Sequence, residues 1–194
     1  MKAKIVKLPK AESALKGMIV SKEKYGNVGA EVESVMQDIG YRVSQENEPD
    51  LKEIGVEVKT RNTSSRSAHT VASMSISNII ATSYKQSPIF DKFQTQFRVK
   101  HDQTFYEVTD AKIYDFTDPA IQKSLENSYE AGRELFRQIK DRDVVAPNYI
   151  RGDNCECYWE RKVGDTYAFR IPNGTMKKFE TISAVRKNFN NLFE

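Results

Sequence analysis

The stretch Pro49-Asp50-Leu51-Lys52-Glu53-Ile54-Gly55-Val56-Glu57-Val58-Lys59-Thr60 decides how this chain is read. Ile54, Val56 and Val58 alternate with Gly55, Glu57 and Lys59, a period of two that predicts a strand with one buried face. On such a strand Glu57 and Lys59 project from the same side, opposite the valines. Asp50 stands just ahead of it, so two acids and a lysine converge at the polar edge of a sheet.

That set suits phosphodiester hydrolysis. Carboxylate oxygens hold a hard cation such as Mg2+, which keeps part of its water shell and takes phosphate oxygens as well. A bound ion neutralises phosphate charge, helps generate hydroxide and orients an in-line attack. Lys59 would position the attacking water and stabilise the charge growing on the phosphate, and the Val58 carbonyl is a further candidate ligand. A bare Glu-x-Lys carries little, because such triplets also pair on solvated strand faces. The preceding Pro-Asp and the short Gly-Val-Glu-Val-Lys strand make the whole segment far more specific.

Outward from this strand the order is mixed. Gly26-Asn27 precedes Val28, Val32, Val35, Met36 and Ile39, an apolar stripe at helical spacing that Gly40 closes. After the strand, Arg61 to Ser67 reads as a polar loop and His69 to Ile79 as a second strand. Ser87-Pro88 starts a short helix carrying Ile89, Lys92 and Phe93, followed by strands at Phe97 to Val99 and Phe105 to Tyr114. Thr117-Asp118-Pro119 opens a long helix to about Ile139. Cys155 to Arg161 and Thr166 to Ile171 form a hairpin through Gly164-Asp165, and a last helix holds Ile182, Val185, Phe189 and Leu192. The expected class is α+β: a central mixed sheet flanked by helices, in one domain over residues 1–194 with room for a small C-terminal lobe.

Composition leaves this reading open and closes others. With 194 residues, 39% hydrophobic and 29% charged, the chain can bury a core without staples. No apolar run approaches a membrane span, and Lys2, Lys4, Lys7 and Lys10 interrupt any leader-like stretch, so a cytoplasmic protein with no membrane partner is expected. Cys155 and Cys157 lack a second ligand pair and read as packing residues, not zinc ligands. Net charge is only +3, but it is clustered. Lys2, Lys4, Lys7, Lys10, Lys16, Lys22 and Lys24 face only Glu12 and Glu23, and Lys177, Lys178, Arg186 and Lys187 form a second group. Two such clusters around the motif favour a polyanionic partner.

Residues 49–60 resemble the active-site strand of the MutH-type branch of the PD-(D/E)XK endonucleases, which includes mismatch-repair nickases and type II restriction enzymes. By that resemblance the fold is restriction-endonuclease-like. Asp50 and Glu57 would be metal ligands and Lys59 the catalytic lysine. Gly26-Asn27-Val28-Gly29 leading to Glu33 is similar to the helix that carries a further active-site glutamate, with Glu31 its rival. SPIFDKFQTQFRV, residues 87–99, is similar to the segment holding a second active-site lysine, which falls on Lys92. IPNGTMKKFETISAVRKNF, residues 171–189, resembles the closing loop and helix, although Thr175 and Met176 stand where the family has aromatic residues.

The expected activity is therefore a Mg2+-dependent, sequence-specific endonuclease acting on double-stranded DNA, type II restriction-like and acting as a homodimer. A nickase activated by a MutL-like partner is the alternative, and a DNA-binding module without catalysis is the alternative of another class. Base readout falls to arginine, lysine and asparagine side chains entering a groove. The candidates are Arg61, Asn62 and Arg66 on one loop and Asn173, Lys177 and Lys178 on another.

Overall fold

The computed structural model describes residues 15, 28–38, 40–44, 48–102 and 107–191, with side chains up to residue 184. The lysines of residues 2–24, the Gly26-Asn27 pair, Ile39, Phe105 and Leu192 lie outside the described residues, as do the side chains of Val185, Arg186, Lys187 and Phe189. In the described residues the class is α+β, with strands in two sheets. The chain divides into two compact units, residues 1–66 with 94–115 and residues 67–93 with 116–194. In place of one central sheet the strands form two, because the segment after residue 66 pairs with a strand far downstream.

The first unit opens with helix α1 (Val28–Asp38), whose Val28, Val32 and Met36 recur at helical spacing and are buried. Gly40 ends it at φ 94°, where glycine meets no Cβ penalty. Its N–H donates to the Gln37 carbonyl (2.8 Å) and that of Tyr41 to Met36 (2.9 Å), the paired bonds of a Schellman cap. A 3-10 turn at Lys52–Ile54 closes on Gly55 at φ 66°, so Ile54 belongs to the turn and not to the strand as expected. Strand β1 then spans Val56–Asn62, two residues further than the sequence suggested. Arg61 and Asn62 are therefore on a strand, because backbone pairing with Lys100 and His101 extends it.

Strands β3 (Thr95–His101) and β4 (Val108–Asp115) complete a sheet of order β1-β3-β4. β1 and β3 are parallel, and β3 and β4 antiparallel. Val56, Val58, Phe97, Val99, Val108 and Ala111 pack with α1, Leu15, Tyr41, Leu51 and Ile54 into one core. Each valine, leucine, isoleucine or phenylalanine side chain among them contributes roughly 1.5–3 kcal/mol on burial.

In the second unit, β2 (His69–Ser75) gives way at once to helix α2 (Ile76–Ala81). The strand expected to run to Ile79 stops because Ser75 caps a helix, accepting from the Asn78 N–H. Helix α3 (Pro88–Lys92) is capped by Ser87 as expected. Asp118 likewise caps the 23-residue α4 (Pro119–Asp141) by accepting from Ala120. Strands β5 (Tyr149–Ile150), β6 (Tyr158–Val163) and β7 (Thr166–Ile171) join β2 in an antiparallel sheet of order β2-β7-β6-β5.

An aromatic core of Tyr129, Phe136, Trp159, Tyr167 and Phe169 joins α4 to this sheet. Cys155 and Cys157 are buried free thiols, and burial pushes the Cys157 thiol up to about 12. The last helix, α5 (Asn173–Asn191), starts before the region expected from the sequence. Met176, Phe179 and Ser183 form its buried stripe, so Asn173, Lys177 and Lys178 lie on a helix and not on a loop. Among the described residues no helix is long and apolar enough to cross a membrane.

Candidate active site

Glu57 stands out in the first unit: a carboxylate only 1% exposed, at the second position of β1. Burying a charge is costly unless it is paired and hydrogen-bonded. Both conditions are met: Lys59 Nζ donates to Glu57 Oε1, and the Asp50 N–H donates to Oε2 at 3.3 Å. Alternation along β1 puts the two side chains on one face, as the sequence predicted.

Asp50 reaches the same place by a different route. Leu51 and Val56 exchange backbone hydrogen bonds in an isolated antiparallel bridge, folding the 49–55 segment back along the outer edge of β1. That brings Asp50 Oδ2 to 2.8 Å from the Val58 N–H, which donates to it. Val58 has the same parity as Val56, so its carbonyl lies along this outer edge too. The strand edge thus presents the Asp50 carboxylate, the Val58 carbonyl and, around the corner, the Glu57 carboxylate.

Glu33 completes the group from α1. Partial burial raises its proton affinity above that of an ordinary carboxyl, and the negative charges of Asp50 and Glu57 raise it further, while Lys59 opposes them. Three carboxylates and one ammonium therefore share one electrostatic neighbourhood within the first unit. Glu31 sits in the first turn of α1.

The remaining sequence candidates are distributed over both units. Lys92 ends α3 and belongs to the second unit, as do Asn173, Lys177 and Lys178. Lys178 is engaged by Glu156 at 2.6 Å, and Lys177 is exposed. In the first unit, Arg61 Nη2 donates to the Ser65 carbonyl (3.1 Å). Asn62 Oδ1 accepts from Ser64 N and Oγ, both at 2.9 Å, so these side chains build the turn after β1. Arg66 is exposed beyond it.

Sequence reading missed Gln96 and Arg98. Parallel pairing sets Glu57 beside Gln96 and Lys59 beside Arg98, and both neighbours are buried, 2% and 6% exposed. The alternation of Thr95-Gln96-Phe97-Arg98-Val99-Lys100 was the available signal: Phe97 and Val99 face the core, which sends Gln96, Arg98 and Lys100 to the Glu57 side.

Among the described residues no three acidic, histidine or cysteine side chains already converge as a metal cluster. The donors still fit magnesium, which uses one or two carboxylates, waters and substrate phosphates instead of a full protein cage. No protein-family model and no curated protein matches this chain.

Proposed function

We propose that this chain is a magnesium-dependent endonuclease that hydrolyses phosphodiester bonds of duplex DNA in the manner of a type II restriction enzyme. One observation carries the reading. The Asp50 and Glu57 carboxylates are fixed at the start of a single strand by main-chain hydrogen bonds, with the Lys59 ammonium on the second of them.

Asp50, Glu57 and the Val58 carbonyl would hold the ion, which when bound supplies charge neutralisation and an acidified water. Lys59 contributes a mobile cation: its ammonium, released from Glu57, is placed to donate to a phosphate oxygen or to the attacking water. Glu33, whose carboxyl keeps its proton to higher pH than usual, is the group suited to exchange a proton with that water. The hydrogen bonds from backbone to carboxylate hold Asp50 and Glu57 in place, so the rearrangement that precedes reaction is the release of Lys59 from Glu57.

The test uses purified protein with unmethylated and methylated phage DNA, in Mg2+ or EDTA, beside Lys59→Ala. Discrete Mg2+-dependent fragments that disappear with the substitution are expected. Intact DNA under every condition, or fragments equally abundant with Lys59→Ala, would overturn the proposal.

A further inference from the structure

Val144, Val145, Tyr149 and Val163 are the large apolar side chains that stand exposed among the described residues, and Val145 is 89% exposed. All four come from the stretch of the second unit that leads from the end of α4 to the β6–β7 turn. A single exposed valine is ordinary, but adjacent ones beside a hollow mark a contact surface. Val144 and Val145 border a hollow of about 400 Å3, which Ile76 of α2, Phe136 and Ile139 of α4 and Ala146 also line. Phe136 and Ala146 are buried there, Ile76 and Ile139 half-buried.

The two valines are held in place, not left to wander. Asp143 takes φ 51° at the end of α4, a left-handed position usually given to glycine. Its N–H donates to the Lys140 carbonyl (3.1 Å) and that of Val144 to Ile139 (3.3 Å). On the far side of the valines three successive carbonyls are engaged. Ala146 accepts from Arg161 Nη2, Pro147 from Tyr167 Oη at 2.7 Å and Asn148 from the Arg161 N–H at 2.8 Å. An apolar projection fixed in this way loses little freedom on association, which favours binding.

The charges around the hollow are of both signs. Earlier in α4, Arg133 pairs with Glu130 and Arg137 with Glu134. Lys140, Asp143 and Asp165 instead line the hollow as exposed groups with no ion pair among the described residues. We infer that this surface is the contact between two copies of the chain, related by a two-fold axis that seats Val144 and Val145 of each copy against the hollow of the other. A projection beside a hollow is self-complementary, as an isologous contact requires. The same axis turns the mixed charges into two equivalent pairs, Lys140 of each copy with Asp165 of the other. The contact uses none of Asp50, Glu57 or Lys59 and does not depend on the hydrolytic reading. A dimer would carry two such sites, the number that a cut through both strands calls for.

Sedimentation velocity of the full chain over a concentration series, without DNA, tests the contact separately from cleavage. Wild type is expected to pass from monomer to dimer as concentration rises. Val145→Asp should raise the dimer dissociation constant at least about 100-fold, because an isologous contact feels each substitution twice, at about tenfold each. Its melting temperature should match wild type, since Val145 is exposed. Lys140→Glu and Asp165→Lys should each weaken self-association. An equimolar mixture of those two variants should restore it, because opposite charges then meet at both ends of the contact. A wild type that is monomeric at every concentration would overturn the contact. So would a Val145→Asp protein that dimerises like wild type, or a mixture that associates no better than its components. Saturable binding of an anilinonaphthalene dye by a monomeric wild type, lost in Val145→Asp, would give the hollow to a small apolar ligand instead.

Discussion

Replacing Asp50 in two ways separates what its carboxylate does for the fold from what it does for chemistry. The Val58 N–H donates to Oδ2 at 2.8 Å, and hydrogen bonds to charged groups are worth about 1.5–3 kcal/mol. Asp50 is half-buried, so the lower part of that range applies to Asp50→Ala, about 1.5–2 kcal/mol. For a chain of this size 1 kcal/mol moves the melting temperature by about 2–4 °C, which gives a fall of roughly 3–8 °C. Asp50→Asn keeps an oxygen that can accept the same bond, and it removes a negative charge that Glu33 feels. Its melting temperature should therefore stay within about 2 °C of wild type.

Cleavage should behave differently, falling by at least about 100-fold in both variants, since removing one preorganised charged group costs on that scale. Scanning calorimetry and a plasmid-nicking assay on the same preparations provide the two readouts. Equal thermal losses in the two variants would refute the hydrogen-bond account of Asp50. An Asp50→Asn protein that cuts like wild type would refute its place in the chemistry.

Other expectations follow from the same geometry. Because burial and the nearby Asp50 and Glu57 charges make the Glu33 carboxyl hold its proton more tightly in the folded protein than an ordinary carboxyl does, its ionisation opposes folding. That penalty is absent below the unfolded pKa, grows as pH rises through the folded one, and then stays constant. Glu33→Gln should accordingly gain thermal stability over wild type at neutral pH and lose the advantage near pH 4; a pH-independent difference would count against it. At Gly132 an added Cβ would lie 2.5 Å from Trp159 Cδ1 and Nε1. Gly132→Ala should therefore cost about 1–3 kcal/mol, visible as a lower urea midpoint and a shifted tryptophan emission; an unchanged midpoint would show that α4 and Trp159 are not so close. Ser87 is fully buried, accepting from Phe90 N–H at 3.3 Å and donating to the Tyr84 carbonyl at 2.6 Å. Ser87→Ala should cost about 0.5–2 kcal/mol by denaturant titration, with a null effect excluding the cap.

Features encoded over a few neighbouring residues were legible in the sequence. Alternation located β1, Ser87-Pro88 and Asp118-Pro119 located two helix starts, and Gly40 marked the end of α1, because each is settled by local sterics and hydrogen bonding. The relation between Asp50, Glu57 and Lys59 was legible for the same reason: their spacing spans only one turn and one strand. What failed was long-range. Nothing near Arg61 announces that Lys100 will extend its strand, and nothing near Glu57 names Gln96 as its neighbour. Asn173 to Lys178 read as loop because the buried Met176 and Phe179 declare a helix only when something packs against them.

The interleaving of the two units has a consequence for the order in which the site comes into being. β1 and its parallel neighbour β3 are separated by residues 67–93, all of which belong to the second unit. Closing a loop of that length costs about 3 kcal/mol of chain entropy by the logarithmic law. In the growing chain Glu57 and Lys59 are made before Gln96 and Arg98, and a nascent chain halted before residue 94 holds the acids without β3 beside them. Assembly of the polar face is thus a late event, tied to completion of β3. A single cut between the units cannot release either of them whole, because the chain passes from one to the other at Arg66, again at Phe93 and again at Asp115.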